Sequence, residues 1–68
     1  MEKYKDFKIE DKQKVIDIVK SIENSKVLIK MNNIRLGNSS VFRVTVENIT
    51  ADKTQVDFFF EELLYKLS

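Results

Sequence analysis

The chain has no cysteine, no histidine, no proline and no tryptophan, and its single glycine is Gly37. Each absence narrows what the protein can do. Without cysteine there is no disulfide framework to staple a small fold, and without cysteine or histidine the usual zinc sites lose their ligands. Without histidine, Ser39, Ser40, Thr45 and Thr50 have no imidazole to activate them as nucleophiles. The lack of proline leaves no obvious hinge or linker. No window approaches the roughly 20 apolar residues that a membrane span requires. An excess of one charge is missing too: 12 basic and 11 acidic side chains leave a net charge of +1, which steers polyanions weakly and does not point to nucleic acid.

What remains is a compositionally ordinary chain of 68 residues, 43% hydrophobic, read as one small domain over 1–68. A globular chain near this size buries only about 60% of the surface its unfolded form exposes. A protein partner or a homo-oligomer is the remaining supplement for so thin a core. The N-terminus, Met1-Glu2-Lys3-Tyr4-Lys5-Asp6, mixes both charge signs and is not followed by an apolar run of signal-peptide length. A soluble cytoplasmic protein with no membrane segment is the expectation.

Residues 1–9 carry Tyr4, Phe7 and Ile9 among charged neighbours and read either as an extended arm, with the option of an extra strand, or as a helical lead-in. A helix is expected from Glu10 or Asp11, where acids complement the backbone dipole. Val15, Ile16, Ile18, Val19 and Ile22 form its apolar stripe, and Asn24-Ser25 ends it, asparagine tolerating a left-handed terminus. Lys26 to Leu36 alternates as a strand, with Val27, Ile29 and Met31 on one face. At Asn32-Asn33 the apolar phase shifts to Ile34 and Leu36. Either a bulge restores the buried face there or the asparagines form a tight turn. The bulge is preferred, because Gly37-Asn38-Ser39-Ser40 is the better turn.

Val41 to Glu47 returns with Phe42, Val44 and Val46 opposite Val41, Arg43 and Thr45. Thr50 or Asp52 then caps a helix, Asp52 with Gln55 approximating a capping box. Along that helix Val56, Phe59, Phe60, Leu63, Leu64 and Leu67 make an apolar stripe. The order helix, strand, strand, helix predicts an α+β two-layer sandwich, an antiparallel hairpin with two helices on one face. Two strands make a poor sheet, so a third strand from the N-terminal arm or pairing through an open edge is expected to complete it.

No pattern here carries a reaction. The neighbours Glu10-Asp11 and Glu61-Glu62 diverge around their helix axes and cannot flank a bond. No Asp-x-Asp-x-Asp-Gly run offers oxygen ligands. No catalytic residue, cofactor or metal is assigned. Lys26, Lys30, Arg35 and Arg43 would share the hairpin's outer face, where a solvated surface is the simpler reading than a basic patch. Phe58 and Tyr65 lie off the apolar stripe of the last helix. They are either an exposed anchor of the kind enriched at interfaces or a surface covered by Tyr4 or Phe7 of the arm.

The run Phe42-Arg43-Val44-Thr45-Val46-Glu47-Asn48-Ile49-Thr50, with Val56-Asp57-Phe58 and Leu63-Leu64, resembles the C-terminal small-domain segment of fold-type I pyridoxal-phosphate enzymes, in the group II decarboxylase and cysteine-desulfurase branches. The hairpin Ile34-Arg35-Leu36-Gly37-Asn38 fits the same segment, and the resemblance covers roughly residues 12–67. It implies a hairpin, an arginine-bearing strand and a helix started by threonine. It also implies that Arg43 would bind a substrate carboxylate, as that strand arginine does in several branches. The family's large domain has no counterpart here: the Schiff-base lysine motif, the aspartate for the pyridine nitrogen, the phosphate loop and the stacking histidine are all missing. Two readings of function follow. The first is a non-catalytic protein-interaction module, its size and Lys, Ile and Asn content being compatible with a phage-type inhibitor or adaptor. The second is a C-terminal fragment of a decarboxylase-like enzyme that completes a pocket supplied by another domain.

Overall fold

The computed structural model describes residues 2–50 and 52–68. The chain runs β1 (Glu2–Lys8), a 3₁₀ turn (Ile9–Asp11), α1 (Lys12–Ile22), β2 (Val27–Leu36), β3 (Ser39–Asn48) and α2 (Lys53–Leu67). The three strands form one antiparallel sheet in the order β1-β3-β2. The α+β sandwich is therefore as expected, and the N-terminal arm supplies the third strand. β1 pairs along its whole length with β3, from Glu2 opposite Glu47 to Lys8 opposite Val41. This places β3, the most deeply buried strand, at the centre.

One face of the sheet holds the core. Phe7, Val27, Phe42, Val44 and Val46 point to that face and are buried against Val15 and Val19 of α1 and Val56, Phe59 and Leu63 of α2. Ile16, Ile18, Ile22, Ile29, Met31, Phe60 and Leu67 pack around its margin. Phe59 and Phe60 meet edge to face at 5.8 Å, an arrangement favoured by the ring quadrupoles. Among the described residues, no helix packs on the other face of the sheet.

Four local expectations are corrected. The first concerns the bulge at Asn32-Asn33, which does not form. β2 and β3 pair in unbroken register, from Val27 opposite Asn48 to Leu36 opposite Ser39. Ile34 and Leu36 consequently lie on the open face. There Ile34 sits opposite Val41, and the cross-strand pair half-buries both. The apolar phase shift thus marks a change of face rather than a bulge. By the same parity Arg35 leaves the face that holds Lys30 and Arg43, so the four cations do not form one patch. The second is the turn, which is only Gly37-Asn38, with β3 beginning at Ser39. Gly37 has φ +62° and is the one described residue with positive φ. A positive φ at the first loop residue alone is the arrangement in which glycine leads a two-residue hairpin.

The third is the end of α1. It closes at Ile22 with Glu23 extended, and no left-handed asparagine follows. Asn24 instead accepts a hydrogen bond through Oδ1 from the Lys26 amide at 2.8 Å, an Asx turn that redirects the chain into β2. α2 begins as expected from Asp52, whose Oδ1 accepts from the Thr54 amide at 2.9 Å. The fourth is the buried stripe of α2, narrower than read, for Leu64 is 40% exposed.

Candidate interaction surfaces

Arg43 lies at the middle of the open sheet face. Strand alternation puts it directly opposite Asp6 and diagonal to Tyr4, both on β1. Its Nε donates to Asp6 Oδ1 at 2.7 Å and its Nη2 to Asp6 Oδ2 at 3.0 Å, the two-pronged geometry that suits guanidinium. The Tyr4 ring stacks on the same group, 4.1 Å from its centroid to Cζ. Arg43 hydrogen bonding lowers the Asp6 carboxyl below its ordinary value, against a smaller opposing effect of burial. The Asp6 contact likewise raises Arg43. The arginine that the family resemblance assigns to a substrate carboxylate is thus already bound to a carboxylate of its own chain. An external carboxylate would have to use the remaining Nη1 and Nη2 donors or displace Asp6.

Two further features define the surface. Phe58 is 59% and Tyr65 81% exposed. Seven residues apart, they share the side of α2 turned away from Val56, Phe59 and Leu63. The arm does not cover them: Phe7 is in the core and Tyr4 is on the far face of the sheet. The third feature is the free edge of β2, whose only strand neighbour among the described residues is β3. On the other edge β1 is tied to α2, Lys3 Nζ meeting Asp57 Oδ1 at 2.7 Å. That bond lowers Asp57 relative to an ordinary carboxyl.

Asn48 is the residue that reading by composition passed over. It is buried at the end of β3, where its Oδ1 accepts from the Thr50 amide at 2.9 Å and the Thr50 hydroxyl at 3.1 Å. Its Nδ2 donates to the Asp52 carbonyl. One amide therefore folds the β3–α2 connection. The signal was its parity, two residues after Val46 on the core-facing side. Parity puts Asp6 and Tyr4 on one face of β1, but only the pairing with β3 makes them partners of Arg43.

Among the described residues no cluster of three metal-ligating side chains occurs, and no enclosed pocket is found. No described helix is long and apolar enough to cross a membrane. No protein-family model, curated protein or solved structure matches the chain.

Proposed function

We propose that this chain is a small non-catalytic protein-interaction module that binds a protein partner through the outward face of α2. The observation that carries the reading is the pair Phe58 and Tyr65, two large aromatic side chains exposed on the helix side opposite the core. Aromatic side chains bring large contact area at low entropic cost, and Phe and Tyr are enriched at interfaces. Glu61 and Glu62 lie between them along the helix and supply an acidic rim. A partner with an apolar cleft bordered by basic side chains fits this surface. Cytoplasmic action as an inhibitor or adaptor belongs to the same proposal.

The enzyme-fragment alternative gives Arg43 the substrate carboxylate. Its fork is engaged by Asp6 and its face by Tyr4. That reading leaves the substrate only the remaining Nη1 and Nη2 donors unless the Asp6 side chain moves away, whereas the α2 surface is open as it stands.

Affinity capture from the source cells with the wild type and the Phe58→Lys variant tests the proposal. Because Phe58 is outside the core, the variant should unfold within about 0.5 kcal/mol of the wild type, and it should lose a protein that the wild type retains. Retention of that protein by a folded Phe58→Lys variant, or collapse of the variant's fold, would sink the reading.

A further inference from the structure

The geometry points to the free edge of β2 as the docking site for a second copy of this chain, pairing antiparallel about a two-fold axis at Asn32. This contact is separate from the α2 surface and goes beyond the function proposed for it. An edge strand presents alternate N–H and C=O groups without partners, and proteins guard such edges with charge, proline, bulges or a covering element. The two edges of this sheet are guarded very differently. β1 carries Glu2, Lys3, Lys5, Asp6 and Lys8, and two of these are engaged across the molecule, Lys3 with Asp57 and Asp6 with Arg43. β2 runs for ten residues in regular register with only Lys30 and Arg35 charged. It has neither a proline nor a bulge.

The pattern along β2 is complementary to itself. A two-fold axis at Asn32 sets Leu28, 54% exposed, opposite Leu36 of the second copy, 49% exposed, and does so twice. Lys30 then lies opposite Ile34, and Asn32 opposite its own counterpart. Residues of like parity are paired throughout, so the two open faces join on one side and the two helical layers on the other. No like charges face each other. Parallel pairing in register would set Lys30 against Lys30 and Arg35 against Arg35, which selects the antiparallel arrangement. Such an isologous contact repeats each favourable pair and closes the assembly at two copies. The product is a continuous six-stranded sheet, with an extended core for a chain whose own core is small.

Sedimentation equilibrium of the full chain tests the dimer, and two pairs of variants test the register. Ile34→Lys faces Lys30 across the contact twice and should weaken association about tenfold, whereas Ile34→Glu should tighten it by a similar factor. A merely structural effect at Ile34 would move both variants the same way. Since the chain has no cysteine, an Asn32→Cys variant can form a disulfide only between copies. Directly opposite residues sit about 4.5–5.5 Å apart at Cβ, close to disulfide reach. It should crosslink far faster than a Ser25→Cys control on the α1–β2 connection. A chain that stays monomeric across the concentration range, an equal response of the Ile34 variants, or crosslinking no faster than the control would each overturn the proposal. Phe58→Lys leaves this dimer intact, so loss of the α2 partner and loss of the dimer are read separately.

Discussion

At the scale of single residues, two polar groups fix features that the apolar core does not, Asn48 the β3–α2 connection and Asp6 the position of Arg43. Asn48 is buried and makes three hydrogen bonds to the loop that launches α2. Replacing it with alanine leaves the Thr50 amide and hydroxyl without their acceptor in a partly buried loop. Asn48→Ala should therefore cost about 1–3 kcal/mol in chemical denaturation. Asn48→Asp keeps an acceptor for Thr50 but buries a charge and sets a second oxygen against the Asp52 carbonyl, so at neutral pH it should cost at least as much as alanine. A milder loss for Asn48→Asp than for Asn48→Ala would show that the donor to Asp52 does not hold the loop.

Asp6 carries a second residue-scale expectation. Its folded-state pKa is lowered, chiefly by hydrogen bonding to Arg43. A depressed carboxyl contributes stability that is complete above its unfolded pKa and is lost as pH falls through the folded value. The melting temperature should hold from neutral pH down to the ordinary carboxylate range and then fall. Asp6→Asn should melt lower than the wild type at neutral pH, and the gap should close as the medium is acidified. Asp57, lowered by Lys3, retains the same sign in the variant and leaves part of the acid limb in place. Because Asp6 and Arg43 are each 26% exposed, salt should narrow the gap as well. A gap that persists in strong acid would assign the loss to packing rather than charge.

At the scale of elements, legibility follows how much each pattern depends on tertiary context. α2 and the alternation of Phe42, Val44 and Val46 on β3 are legible because their burial is dictated locally, by the 3.6-residue stripe and the two-residue alternation, although β3 runs from Ser39 to Asn48 rather than from Val41 to Glu47. The N-terminal strand was ambiguous for a physical reason. At an edge strand charged side chains are tolerated at almost every position, so β1 has only Phe7 buried, Lys3 and Lys5 sharing its side of the strand, and little alternation to display. The Asn32 region failed differently. A bulge was inferred on the assumption that apolar residues must stay on the core face, yet Ile34 finds its burial against Val41 on the open face. Leu64 was included in the α2 stripe by spacing alone. Its exposure shows that the core covers a narrower arc of the helix than the apolar spacing spans. Of the surface features, Phe58 and Tyr65 were visible as residues that break a helical pattern. The ion pair at Arg43 was not, since it depends on a strand pairing 37 residues apart.

At the scale of the whole molecule, β3 is the element on which every other one converges. It is hydrogen-bonded on both sides, and Phe42, Val44, Val46 and Asn48 are all buried from it. β1 and β2 each have one partner strand, and both helices pack on the face that β3 anchors. Local opening of either edge costs one ladder, whereas freeing β3 breaks both ladders and empties the core. Amide exchange should therefore be slowest along Phe42–Val46, with a protection free energy equal to that of global unfolding. Alternate amides of β1 and β2 face away from the sheet and should exchange much faster in a monomer. The two edges then part company with concentration: β1 should be unchanged, while the outward amides of β2 gain protection as the chain dimerises. The same protection at both edges at every concentration would count against pairing through β2, whereas β3 amides that exchange before global unfolding would mean that the centre of the sheet is not the cooperative unit.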